Sequence, residues 1–381
     1  MPNTIPNSIL DYHVRKFISS TYANITNATQ IRALNNYVKA LKKIGAWASY
    51  TTNDGFLFPF VGGTATSCSY NLVDPTKHQI TWFASPTFNA NGVTCDSSST
   101  MYGTQNCLDN TGGNNLHHLA AYDRTASTSG RYYMGATAGA VFTELVAGSD
   151  VGMGDNSGAN FPATVKGMYL GNRSTSSNLK AIKNGIVNAT NTSTHTTTSG
   201  SAFDVFALGP THTFKSNANL ALLSYGDAFS ISGTDGVKEV QTIVTVSDVS
   251  GSLNNKYFLI DTPFVNYYIW FNINSAGTDP AIANRTGIQI TGATNVLAST
   301  LATSINTAFN ALVQMTSTVS VNTVTVTNGI IGAVTAATNG AASPAFTFAV
   351  TTTGVTPTTM TGLFSYYSMK FQYDLGRQIQ L

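Results

Sequence analysis

Short apolar segments separated by polar turns fill the middle of this chain, from about residue 71 to residue 229. Typical segments are HQITWF, GRYYMGAT and AVFTELVAG, and Gly or Asn bounds most of them. Short strands at regular spacing with turn residues between them are typical of a β-sandwich or jelly roll. The pattern therefore predicts a mainly-β fold. Asn184-Gly185 predicts one of its hairpins, because Asn-Gly readily adopts the positive φ angles of a type I′ turn.

Helical periodicity flanks this β-rich region. Apolar residues recur at spacings of three and four between residues 8 and 50, and again between residues 360 and 375. The spacing predicts two N-terminal helices and one C-terminal helix. The second helix should begin at Thr26 to Thr29 and end at Gly45, with lysines in its last turn. The apolar faces could pack on the sandwich or form contacts between subunits, and both interpretations stay open.

A second β-rich pattern begins near Gly236. Longer apolar strands such as NYYIWFNIN precede a helical pattern in NVLASTLATSINTAFNAL, and the segment STVSVNTVTVTN then alternates Val with Thr as a strand pair does. These patterns predict a compact α+β unit with a single helix on a sheet. Flexible segments bound it on both sides, so we interpret residues 234–358 as a domain inserted into a loop of the first one.

The composition narrows the classes of function. Charged residues make up 9% of the chain and the formal net charge is +2, so a nucleic-acid partner has little support. No apolar run approaches the roughly 18 to 20 residues that span a bilayer, and the N-terminus does not resemble a signal peptide. The spacing of Cys68, Cys95 and Cys107 indicates neither a disulfide framework nor a zinc site, and predicts buried thiols.

Catalytic patterns are sparse. Jelly-roll glycosidases use two carboxylates, often from one strand as E-x-D-x-x-E, but the two glutamates of this chain, Glu144 and Glu239, fall in different predicted domains. The G-x-S-x-G and H-E-x-x-H motifs do not occur. His117 and His118 are adjacent on a predicted strand, so one should point inside and one outside. We therefore predict that the protein is not an enzyme.

Two sets of residues are candidates for binding. Asp150, Asp155 and Asn156 lie in a Gly-rich segment and could supply oxygen ligands to Ca²⁺, although a solvated loop would have the same composition. Aromatic side chains in the loops of a jelly roll could stack on sugar rings, and we nominate Tyr102, Tyr132 and Tyr133 as ligand contacts. The alternative is that these rings belong to the core, since short strands need large side chains to close a sandwich.

Several segments resemble a known family. They are FPFVGGTATSCSYNLVDPTKHQITWF, LAAYDRTASTSGRYYMGA, GMYLGNRSTSSNLKAIKNGIV and FSYYSMKFQYDLGRQI, and they resemble the concanavalin A-like (laminin-G-like) jelly-roll proteins of tailed bacteriophages. The inserted segment resembles a small α+β domain of phage virion proteins. The resemblance implies four parts: a helical attachment or oligomerisation segment at 1–55, a concanavalin A-like jelly-roll sandwich at 56–233, the inserted domain at 234–358, and a C-terminal helix at 359–381 that completes the jelly roll.

The resemblance also implies a function and a location. We expect a bacteriophage virion structural protein, assembled in the host bacterial cytoplasm, that forms a fibre, spike or capsid-surface appendage and binds host or mucosal glycans. Its partners would be other virion proteins and copies of itself, with a trimer expected by analogy. The alternative is a purely architectural capsid or tail decoration protein, and a polysaccharide depolymerase is disfavoured by the missing carboxylate pair.

Overall fold

In the computed structural model, the chain forms two compact units. Among the described residues, unit 1 contains those up to Gly233 and those from Thr358 onward, and unit 2 contains Thr234–Pro357. No helix in this described part of the chain has the length and apolar character needed to span a membrane. The structure describes residues 9–52, 54–96, 101–108, 116–125, 131–138, 141–146, 149–153, 158–161, 166–194, 200–209, 212–213 and 215–378.

Unit 1 is a sandwich of two antiparallel sheets with helices. Its helices are α1 (Tyr12–Ile18), α2 (Ala28–Lys43), α3 (Ala48–Thr51), α4 (Ala65–Ser69) and α6 (Met360–Asp374). Its strands are β1 (Phe56–Phe58), β2 (Thr81–Phe83), β3 (Thr87–Asn89), β4 (Gly92–Thr94), β5 (Tyr102–Leu108), β6 (His117–Asp123), β7 (Tyr132–Ala138), β8 (Val141–Val146), β9 (Asp150–Met153), β10 (Ala159–Asn160), β11 (Gly167–Thr175), β12 (Asn178–Lys183), β13 (Ile186–Asn191), β14 (Ala202–Val205), β15 (Leu208–Gly209) and β16 (Asn219–Asp227).

The two sheets enclose the main hydrophobic core. The first sheet has the order β13-β12-β11-β6-β16-β4-β3, with β1 also pairing with β16. The second has the order β10-β9-β8-β7-β14-β5-β2, with β15 pairing in parallel with β7. Aromatic and aliphatic side chains from both sheets fill the space between them. The prediction of a mainly-β sandwich is confirmed, and Asn184 and Gly185 form the predicted hairpin turn with φ angles of 53° and 82°.

Helices cover the outer face of the first sheet. α2 packs against α6, α3 against β16 and α6 against β11. The rings of Tyr37 and Phe371 stack with centroids 4.6 Å apart, and the Tyr37 hydroxyl is 2.8 Å from Ser368 Oγ. α2 is capped by Asn27, and Gly45 follows it with a φ of 81°, as its sequence predicts. The apolar faces of α2 and α6 are therefore used for packing within this unit.

The C-terminal residues of unit 1 contact the segment that follows β1 and strand β16. The buried guanidinium of Arg377 donates to the carbonyl oxygens of Pro59, Phe60 and Ala221 at 2.7–3.1 Å, and to Gln372 Oε1 at 3.0 Å. Burial lowers the pKa of Arg377 to about 9. α6 thus completes the same core that β1 and β16 begin.

Unit 2 contains one helix and two small sheets. The sequence predicted a single sheet under the helix, and that prediction is wrong: one sheet has the order β21-β22-β17-β24 and the other β20-β19-β18-β23. Both sheets and the helix contribute to one core, which includes Phe258, Phe271 and Ile305. The elements are β17 (Val240–Val244), β18 (Tyr257–Asp261), β19 (Asn266–Ile273), β20 (Thr286–Gly292), α5 (Ala298–Asn310), β21 (Met315–Ser320), β22 (Thr323–Asn328), β23 (Thr338–Asn339) and β24 (Thr347–Thr352).

Candidate functional site

The outer face of the second sheet of unit 1 carries the candidate site. Strand register places Asp204 opposite both Thr104 and Gly135, and Gly135 opposite Glu144, so these residues lie in one row across four strands. The other side of these strands faces the core, where Phe203, Val205 and Leu145 are buried. Because side chains alternate between the two faces of a strand, polar groups collect on the outer face.

Three rings form a stack at the edge of this face. Phe83 on the edge strand β2 stacks on Tyr102 with centroids 4.7 Å apart and an interplanar angle of 10°. Tyr102 stacks in turn on His212, with centroids 4.3 Å apart and an angle of 21°. Phe83 is 39% exposed. Both faces of the Tyr102 ring are thus covered by other rings, and Phe83 ends the stack with part of its side chain exposed.

Polar groups hold the inner end of the stack. His212 Nδ1 lies 2.5 Å from Asp204 Oδ2, and the Lys215 ammonium donates to the backbone carbonyl of His212. Lys215 Nζ also lies 5.1 Å from the centroid of Tyr102. Burial raises the pKa of Asp204, while the hydrogen bond from His212 and the charge of Lys215 oppose the rise. These contacts fix the His212 ring, so the stack is a preformed surface and not a set of independent side chains.

A second polar cluster lies on β7, β8 and β9. Tyr132 and Asp150, nominated separately for sugar and calcium, both lie beside Glu144 on the outer face. Burial and, to a smaller extent, the charge of Asp150 raise the pKa of Glu144 to about 7, although a hydrogen bond with Tyr132 opposes the rise. Within the described residues no group of three or more His, Cys, Asp or Glu side chains could hold a metal ion. Asp155 and Asn156 lie outside the described residues.

Because the pKa of Glu144 is raised in the folded protein, this residue should make the free energy of unfolding depend on pH. A carboxyl whose pKa is higher in the folded than in the unfolded chain stabilises the fold below pH 4.5, and this contribution is lost as the pH rises towards 7. We expect Glu144→Gln to raise the free energy of unfolding by about 2 kcal/mol at pH 8 and to change it little at pH 4.5. Urea unfolding at the two pH values measures this, and equal effects at both would contradict the assignment.

The row of outer residues does not form a glycosidase pair. Asp204 and Glu144 are separated by one intervening strand, which puts their Cα atoms about 10 Å apart. Leu208 occupies the space between them, because a Cβ built on Gly135 would lie 2.8 Å from Leu208 Cδ1. A glycosidic bond therefore has no room between the two carboxyl groups in this arrangement.

The nomination of Tyr133 as a ligand contact is wrong. Its side chain is fully buried in the core, and its hydroxyl donates to Asp123 Oδ2 at 2.8 Å. The register of β7 against β8 shifts between Tyr132 and Met134, so a bulge turns both Tyr133 and Met134 towards the core. Tyr102 and Tyr132 lie on β5 and β7 and not in loops, with their side chains on the outer face of the sheet.

The histidine pair also differs from the prediction. His117 and His118 do point to opposite faces of β6, but both are buried, because the helices cover the outer side of the first sheet. His118 Nε2 lies 2.7 Å from Ser224 Oγ and its Nδ1 lies 2.8 Å from the carbonyl oxygen of Asp227. Burial lowers the pKa of His118 to about 3. His118 and Ser224 have the spacing of a base and its nucleophile, but both are buried and no substrate can reach them. They instead contact Tyr50 of α3 and Phe364 of α6, and so help to hold these helices on the sheet.

Comparison with known proteins adds little to this geometry. No family model matches the chain, and no curated protein matches its sequence. Among solved structures, domain 4 of a GH43 extracellular arabinanase from Geobacillus stearothermophilus, in complex with arabinotriose, is 13% identical. The match covers 45% of this chain and 92% of that one, with a TM-score of 0.33. A TM-score this low does not establish a shared fold.

Proposed function

We propose that this protein is a bacteriophage virion structural protein, part of a fibre, spike or capsid-surface appendage, and that it binds glycans of the host or its mucosal surroundings through the ring stack. The virion context is supported by the resemblance of the jelly-roll segments to those of tailed bacteriophages. The observation that carries glycan binding is the stack of Phe83, Tyr102 and His212, whose exposed end lies on the outer face of the second sheet.

The chemistry of the stack suits a sugar ring. The apolar face of a pyranose can lie on Phe83, the ring at the exposed end of the stack, with Tyr102 and His212 supporting Phe83 from behind. Such a site is weak when it acts alone. Many copies on one particle would bind a glycan-coated surface tightly, because each additional contact is made at high effective concentration.

The first test is a glycan array of the purified full chain, with and without Ca²⁺, followed by titration calorimetry with the best ligand. We expect binding that does not depend on Ca²⁺. We expect Phe83→Ala to weaken binding about tenfold, which corresponds to 1.4 kcal/mol, because it removes the stacking face.

Tyr12→Ala is the matched control, since Tyr12 is also aromatic and 60% exposed but lies on α1. This variant should bind as the wild type does. If the well-folded protein bound no glycan, or if both variants lost affinity equally, the ring stack would not be the site and a purely architectural role would be favoured.

A further inference from the structure

The edge strand β24 of unit 2 has features of an interface. It pairs with β17 on one side and is the last strand of its sheet among the described residues. Its sequence, Thr-Phe-Ala-Val-Thr-Thr, contains no charged residue and no proline. Edge strands of monomeric proteins are usually protected from pairing by lysine, proline or a covering segment, because their free N–H and C=O groups attract other strands. Residues 347–350 of β24 carry none of these protections, and a bulge at Thr351, where the register against β17 shifts, ends the regular part of the strand.

The side chains of β24 are arranged on two distinct faces. Phe348 and Val350 point inward. The ring centroids of Phe348 and Phe258 lie 5.5 Å apart, but the Val350 side chain remains 40% exposed. Thr347 and Ala349 point outward, opposite Val244 and Thr242 of β17. The outward positions of β17, β21 and β22 carry Thr, Ser and Val alone. The sheet therefore presents an uncharged outer face that ends in an incompletely covered edge.

We propose that a second copy of this chain pairs with β24 in an antiparallel ladder across a two-fold axis at Ala349. Directly opposite residues of an antiparallel pair lie on the same face, so the axis must pass through a residue and not between two residues. An axis at Ala349 brings Phe348 of each copy opposite Val350 of the other. An aromatic side chain opposite a β-branched one is a favourable cross-strand pair.

The occupant is a second copy because the strand is complementary to itself. In a two-fold interface β24 pairs with a second copy of itself, so any charged residue in it would lie near a residue of the same charge. β24 and the outer face of its sheet have none. The pairing would also cover Val350, and it would join two four-stranded sheets into one. This contact is independent of glycan binding.

Cysteine cross-linking of the full chain tests the register. Under mild oxidation we expect Ala349→Cys to form a disulfide-linked dimer, because opposite Cβ atoms in a ladder lie about 5 Å apart. Thr347→Cys is the matched control: two copies of residue 347 would be about 13 Å apart and should not link. The native Cys68, Cys95 and Cys107 are buried and should not interfere.

Sedimentation equilibrium tests the association itself. We expect the wild type to dimerise reversibly and Ala349→Lys to raise the dissociation constant at least tenfold, since two lysines would meet at the axis. Thr325→Lys adds the same charge to the same face on the interior strand β22, and it should dimerise as the wild type does. A wild type that stays monomeric at every concentration would overturn the proposal, as would self-linking of Thr347→Cys as efficient as that of Ala349→Cys.

Discussion

Replacing Arg377 with methionine is expected to lower the free energy of unfolding of unit 1 by about 3 kcal/mol. Methionine preserves much of the buried volume but donates no hydrogen bond, so the carbonyl oxygens of Pro59, Phe60 and Ala221 would lose their buried donor. Arg377→Lys should cost less, because one ammonium can still reach some of these oxygens. Urea unfolding monitored by circular dichroism measures both variants.

Arg15→Met is the control for Arg377→Met, because Arg15 is an exposed arginine on α1. Its effect should stay within about 0.5 kcal/mol. A loss of stability at Arg377 no larger than the loss at Arg15 would show that the buried guanidinium is not needed to hold α6 on the sandwich.

The second large effect is expected at Asp248 in unit 2. Its buried carboxylate accepts hydrogen bonds from the backbone N–H groups of Gly251, Leu253 and Asn295 at 2.8–3.0 Å, and thereby closes the loop between β17 and β18. Asp248→Ala leaves these three donors without their acceptor, which should cost about 3 kcal/mol. Asp248→Asn keeps one acceptor oxygen and should cost about half as much.

The effect at Asp248 should depend on pH. Burial acts to raise the pKa of Asp248, but the three backbone hydrogen bonds outweigh it and hold the pKa below 3.8. A lowered pKa means that the carboxylate contributes stability above pH 4 and loses that contribution as the pH falls further. The difference between wild type and Asp248→Ala should therefore shrink at pH 3. Hydrogen exchange should place the loss in unit 2, and a loss confined to unit 1 would contradict this account.

The parts of the fold that could be predicted are those with local signals. The spacing of apolar residues marked α2 and α6, and Asn184-Gly185 marked its hairpin, because helix periodicity and turn preferences act over a few residues. The second sheet of unit 2 was missed, because sheet membership depends on which strands pair, and apolar strands alone do not specify their partners.

The candidate site was predictable only in part. Tyr102 was nominated because it is aromatic, but Phe83 and His212 were not, since the three rings come from separate segments that only tertiary packing brings together. Tyr133 was misplaced because a bulge in β7 interrupts the alternation on which the nomination relied. A pattern of residues can therefore indicate that a strand is present, but it does not show whether an aromatic side chain of that strand points to the core or to the outer face.

The split of unit 1 around unit 2 has a consequence for biosynthesis. The chain leaves unit 1 at Gly233 and returns at Thr358, and these two residues lie side by side, since a Cβ on Gly233 would be 2.7 Å from Thr358 Oγ1. A ribosome must therefore finish all of unit 2 before it releases α6 and Arg377. Until then the sandwich is incomplete: α6 does not yet cover the outer side of β11, and Arg377 does not yet donate to the carbonyl oxygens of Pro59 and Phe60. Unit 2, whose synthesis starts second, can therefore finish folding before unit 1, whose synthesis starts first.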